Sequence, residues 1–257
     1  MVKKGQSVII YAFFLALIVV IIVASFTFGF WIFGRGQLKE IEFRNDIFIA
    51  KNAIKAGKIY LEGSLDYSVY QAMYDNGRRG GLPSEKSSSN KLPERQEVIN
   101  YLKNEVQRNL DKYTGTEGTQ KSFFEKTVRI PKVDVKVNDL NGMVNISIDG
   151  ENGENIVLSY IKFEEDEYIT FELSPKIEKT YPIRYFELYE KADKKYNEIK
   201  NGNCANGEEE KDSIIIKVEK KDNKCIINVT DTSIRVPVFD KKGNKVVFDY
   251  ISFIVTK

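Results

Sequence analysis

Between Lys4 and Arg35 the chain carries no charged side chain, and from Ser7 to Phe33 it reads SVIIYAFFLALIVVIIVASFTFGFWIF. As an α-helix rising about 1.5 Å per residue, a run of roughly 27 residues reaches ~40 Å. A bilayer's hydrocarbon core is about 30 Å thick, so such a helix is long enough to span it with some tilt. A helix of a water-soluble domain buries one stripe and turns a polar face to water. This run has no polar face. The sequence therefore predicts a transmembrane helix over residues 7–33 behind a short leader or cytoplasmic tail over residues 1–6. Tyr11 near one end, with Phe28, Phe30, Trp31 and Phe33 near the other, suits aromatic belts at the two interfaces. Gly29, Gly34 and Gly36 are expected to loosen the helix where it leaves the bilayer.

The rest of the 257-residue chain is highly charged and leaves ample length for one or two domains with real cores. Lys and Arg total 39 against 37 Asp and Glu, for a net charge of +2, and the signs are interspersed. That balance lacks the basic face of a nucleic-acid binder. Histidine is absent, which removes the commonest general base and the commonest metal ligand together. With only Cys204 and Cys225 as thiols, a tetrahedral Cys/His zinc site is excluded. The two cysteines flank a predicted strand; they form one disulfide in an oxidising compartment or stay as two small unpaired residues.

No nucleophile elbow is present, and the glycines from Gly77 to Gly81 follow a helix rather than a strand, so they do not form a phosphate loop. The acidic runs Glu164-Glu165-Asp166-Glu167 and Glu208-Glu209-Glu210 lack the register of a calcium loop and read as solvated turns. No catalytic residue, metal or cofactor is assigned, and the chain is read as a non-enzyme.

Lys3-Lys4-Gly5-Gln6 followed directly by an apolar helix resembles the class III (prepilin-type) signal of archaeal pilin-like proteins. The resemblance covers the first thirty-odd residues. It implies that a prepilin peptidase cuts between Gly5 and Gln6, leaving the apolar helix as the mature amino terminus. Many members of that family carry a Glu with a neighbouring Phe shortly after the cut; here those positions hold Ile10 and Tyr11. A plain signal anchor with two lysines is the other reading of the same residues. Lys3 and Lys4 favour a cytoplasmic amino terminus, but Arg35, Lys39 and Arg44 follow the run closely, so the positive-inside count is even. The bulk of the chain is expected outside the cell membrane. Asn145-Ile146-Ser147 and Asn228-Val229-Thr230 are N-glycosylation sequons, meaningful only after export.

Beyond the run, the period becomes helical over residues 37–76. Phe43, Ile47, Ala50, Ile54, Gly57, Leu61, Leu65, Ser68 and Ala72 recur at steps of three and four. This predicts a stalk helix ended by Asp75-Asn76-Gly77. Its stripe is either a seam between copies or, the preferred reading, a face packed on the chain's own β domain. A flexible Gly/Ser/Pro-rich loop follows over 77–93, then a second helix over 94–114, antiparallel to the stalk. From 123 to 257 the period is two, with Asn141-Gly142 and Lys242-Gly243-Asn244 as turns and one helix over about 182–200 ended by Asn201-Gly202. The strands between Val133 and Leu173 are expected in one antiparallel sheet, and the order sheet–helix–sheet suggests a duplicated unit. The fold class is α+β.

These features support a single-pass, membrane-anchored surface protein, a pilin-like structural or assembly component whose exported domain is non-catalytic. Its partners are then the lipid bilayer, a prepilin peptidase, and copies of itself or other pilin-like subunits, with no nucleic acid. A receptor or adaptor whose β domain binds protein or glycan without polymerising is the alternative, and a membrane-tethered hydrolase a lesser one.

Overall fold

A computed structural model describes residues 3–82, 92–164, 167–200, 204–222, 224–240 and 245–256, without the side chains at 3–18, 36, 38–40, 162–164, 167–169 and 200. The expected turns at Asn201-Gly202 and Lys242-Gly243-Asn244, most of the 77–93 loop, and Glu165-Asp166 lie outside the described residues. The chain divides into two compact units, Met1–Asn52 and Ala53–Lys257.

Helix α1 (Lys3–Gly77) begins in the first unit and ends in the second. It continues unbroken through Gly29, Gly34 and Gly36, so the expected loosening there is corrected, and the apolar run passes directly into the amphipathic stretch as one helix. A glycine in a helix interior costs only about 1 kcal/mol against alanine, and no proline stands nearby to remove a hydrogen bond.

Within the second unit, the predicted stripe of α1 is buried: Ile54, Gly57, Leu61, Leu65, Ser68 and Ala72 are all shielded from water. It packs inside its own unit. A Cβ on Gly57 would lie 3.2 Å from Val128, in strand β2 (Lys126–Ile130). Helix α2 (Arg95–Thr114) runs antiparallel to α1: Val98 packs beside Gly81 just past the end of α1, and the Tyr60 hydroxyl donates to the Tyr113 carbonyl, 3.0 Å away. Its apolar positions Val98, Leu102, Val106 and Leu110 are fully buried. At its start the Glu94 N–H donates to the Glu97 carboxylate at 2.9 Å.

Among the described residues the strands form three antiparallel sheets. Strand β1 (Thr119–Phe123) pairs with β2, and β2 meets β5 (Leu158–Glu164), which pairs with β6 (Glu167–Leu173). A second sheet has the order β3 (Val133–Leu140), β4 (Met143–Gly150), β7 (Ile177–Tyr181). The strands expected in one sheet between Val133 and Leu173 therefore belong to two. Chain neighbours β4 and β5 are separated by a 3-10 turn at Glu151–Gly153, and β2 and β7 supply their other partners.

Helix α3 (Tyr185–Lys200) starts three residues later than Pro182. Its first amides are met by the β3–β4 turn: Phe186 and Glu187 N–H both point at the Gly142 carbonyl, at 2.9 and 3.3 Å. The third sheet has the order β11 (Val246–Thr256), β10 (Lys224–Phe239), β9 (Ile214–Lys221), β8 (Gly207–Lys211). The expectation of a duplicated unit is corrected, since one half holds two sheets and the other holds one. Strand β10 runs unbroken through an irregular register between Asp231 and Arg235. There Asp231 accepts from the Ser233 N–H at 3.0 Å and from the Nε and Nη2 of Arg184 at 3.1 and 2.9 Å.

Candidate functional site

The first unit concentrates its chemistry in the apolar run. Every described large apolar side chain from Val19 to Phe33 is at least 50% exposed, on all sides of the helix. The hydroxyls in this stretch turn inward on the backbone: Ser25 donates to the Ile21 carbonyl at 2.8 Å and Thr27 to the Val23 carbonyl at 2.9 Å. No hydroxyl there needs water, which is the condition hydrocarbon imposes. Where the run ends, Phe28 stacks on Trp31 with centroids 6.0 Å apart, and the Arg35 guanidinium lies 3.8 Å from the Trp31 ring centroid. An indole carrying a cation at the edge of an apolar segment suits an interface that is greasy on one side and wet on the other. Gly29 opens a shallow notch of about 500 Å³ against Phe26, Phe30 and Phe33, with only the Ser25 hydroxyl as a polar group. Among the described residues no helix is long and apolar enough to cross a membrane. The side chains of the predicted 7–33 span are described only from Val19 onward, so that statement covers only its C-terminal part.

The second unit offers polar seams rather than a reactive centre. On α1, Asp66 accepts two hydrogen bonds from Lys179, both at 2.7 Å, and one from the Tyr181 hydroxyl at 2.9 Å. Burial pushes the Tyr181 hydroxyl far above the usual tyrosine range, with the Asp66 charge adding to it. Tyr185, fully buried, is raised for the same reason, and its hydroxyl donates to Asn76. Tyr189 is pushed up to about 12, mainly by burial, while its hydroxyl donates to the Pro93 carbonyl. Phenols held neutral and donating to fixed acceptors secure packing; none is placed to accept a proton near pH 7.

A polar groove of about 630 Å³ lies between α2 and β3, lined among others by Lys103, Asp111, Glu117, Lys132, Asp134 and Lys136. Opposite charges alternate along it, so it concentrates neither sign. On its wall Gln107 makes both bonds of an absent neighbouring strand. Its amide donates to the Val133 carbonyl at 2.9 Å and accepts from the Val135 N–H at 2.9 Å. Strand β3 is an edge of its sheet, and α2 thus closes part of that edge with a side-chain amide.

The Gly5–Gln6 bond lies within α1, and the side chains of Gly5, Gln6, Ile10 and Tyr11 lie outside the described residues. Cys204 and Cys225 are joined by a disulfide, with Cα atoms 6.0 Å apart. Asn145 sits in the central strand β4 and donates to Thr180 at 3.0 Å; Asn228, in the central strand β10, accepts from Thr230 at 3.2 Å. Within the second unit, Cys225 and Asn228 share strand β10, whereas Asn145 stands in a different sheet. Among the described residues no group of acidic or cysteine side chains could hold a metal ion. Sequence reasoning missed Asp66, Gln107 and Asp231, single polar residues whose partners stand far away in the chain; a polar residue beside a buried stripe was the only local sign. No family model, curated protein or solved structure matches the chain.

Proposed function

We propose that this protein is a membrane-anchored surface component, pilin-like in plan, whose apolar amino-terminal helix sits in the lipid bilayer and whose α+β unit serves outside the cell without catalysis. The observation that carries the reading is the apolar run itself: side chains exposed on every side of the helix, hydroxyls bonded inward, and an arginine-capped tryptophan at its end. The amphipathic continuation of the same helix, buried inside a β-rich unit, supports the pilin-like part. Prepilin peptidase and further copies of the chain, or other pilin-like subunits, are the partners this reading requires, alongside the bilayer.

Mass spectrometry of the mature amino terminus tests it. Loss of Met1 to Gly5, prevented by Gly5→Val, is expected. An intact terminus on protein extracted from membranes leaves the anchor and removes the pilin-like reading. Full-length chain recovered in the aqueous fraction after alkaline extraction removes both.

A further inference from the structure

Strand β8 contributes nothing to the core: all five of its residues are exposed. Its sequence is Gly-Glu-Glu-Glu-Lys, and adjacent like charges with little β propensity give it no reason to be a strand alone. It lies along β9, with Glu209 opposite Ile216 and Glu210 opposite Ile215. In that position it covers the edge that β9 would otherwise present, over the most apolar segment of β9, Ile214-Ile215-Ile216. An uncovered edge of that composition is a template for pairing with another chain.

The open end of the β8–β9 hairpin is pinned from outside the ladder. Cys204, three residues ahead of β8, is bonded to Cys225 on β10. Between these two points the Lys220 N–H donates to the Asn206 side chain at 2.7 Å. Farther along, Lys195 of α3 reaches Glu209 at 2.7 Å, an exposed pair of small net value. At the other end, the turn is held by Thr232, whose N–H and hydroxyl both donate to the Ser213 carbonyl. Of these, only the disulfide is covalent, and Cys225 is itself buried.

We propose that β8 is a redox-latched cover: with Cys204 and Cys225 joined it lies on β9, and with both thiols reduced its open end lifts and leaves the β9 edge to solvent. Closure proceeds by thiol–disulfide exchange. A disulfide oxidant accepts the two electrons and both cysteine protons, leaving as two thiols while the Cys204–Cys225 bond forms. The moment of closure rests on the exported reading, since thiols stay reduced inside cells and oxidise outside; the latch itself does not depend on it.

Hydrogen exchange followed by mass spectrometry, on the full chain in detergent micelles before and after dithiothreitol, tests the latch independently of location. Reduction is expected to speed exchange over residues 207–218 by about tenfold or more, leaving β11 as protected as before. The Cys204→Ser/Cys225→Ser variant should match the reduced state and ignore dithiothreitol. Lys195→Ala in the oxidised protein should leave β8 protected. Unchanged exchange on reduction, an equal acceleration throughout the unit, or release of β8 by Lys195→Ala alone overturns the proposal.

Discussion

Gly77 shows how a single missing side chain can fix the meeting of two elements. A Cβ there would stand 2.4 Å from the Ser252 carbonyl oxygen, a backbone atom of β11 that has no room to yield. Gly77→Ala is therefore expected to destabilise by about 3 kcal/mol, the upper end of ordinary overpacking. In a unit of this size that lowers Tm by about 6–12 °C, read by circular dichroism. Gly63 in the same helix is the control: nothing lies within 4 Å of its added Cβ, so Gly63→Ala should raise stability by about 0.5–1 kcal/mol. A glycine read as a helix terminator in the sequence thus has a second role that no local pattern reveals, because the carbonyl it faces comes from the far end of the chain.

Asp231 is the residue whose titration matters most. Burial alone raises its pKa, but the hydrogen bonds from Arg184 and Ser233 outweigh it and hold the carboxyl below its usual range. A carboxyl depressed in the folded state stabilises at pH values above its unfolded pKa, and that contribution fades as pH falls through the folded value. Acid unfolding should accordingly begin below about pH 4 and be shifted in Asp231→Asn. That variant should also lose about 2–3 kcal/mol at pH 7, less than the ~3–5 kcal/mol of a fully buried pair because Arg184 keeps 24% exposure. Denaturant melts at pH 3 and 7 decide it.

Among the elements, the ones legible in the sequence were those whose own residues specify them. Asn141-Gly142 marked the β3–β4 turn, and Leu140 is paired with Met143 across it. A second helix was expected over 94–114, and α2 carries its buried Val98, Leu102, Val106 and Leu110 at steps of four. The strands missed have no such autonomy. β1 reads Thr-Gln-Lys-Ser-Phe and ends in a turn of Phe124 and Glu125, both at positive φ, where glycine or asparagine would be expected. β8 is three glutamates on a neighbour's edge. Such strands exist because something else is there to pair with. The helix α2 likewise does more than bury a stripe, since Gln107 satisfies two backbone groups of β3. Gln107→Ala leaves the Val133 carbonyl and Val135 N–H without those bonds, for an expected loss of about 1–3 kcal/mol. Faster exchange of the Val135 amide, with α2 still helical, is the local reading of that loss.

The molecule as a whole joins an exposed apolar helical run to a unit with its own buried core. Residues 53–257 hold a continuous core from α1, α2, α3 and all three sheets. A fragment Ala53–Lys257 is expected to remain in the aqueous phase and to melt in one cooperative step at the Tm of the full chain. The full chain should require detergent. Aggregation of that fragment, or a melt without cooperativity, would show that the second unit depends on what precedes it. The greasy segment was legible at once because it needs no partner to declare itself. The sheet orders were not, since pairing partners come from distant sequence and alternation says which face is wet but not which strand lies alongside.

The carbonyl of Gly142, which receives the first amides of α3, ties the timing of one event to another. A helix of this length is poorly nucleated alone, and its opening turn is completed only once the β3–β4 hairpin has closed upstream. Hairpin closure should then precede α3 in refolding, and a slower stopped-flow helical phase in Gly142→Ala, whose φ of 84° disfavours any Cβ, would record the delay. An unaltered rate at reduced stability would instead mean that the helix docks late and the turn merely receives it.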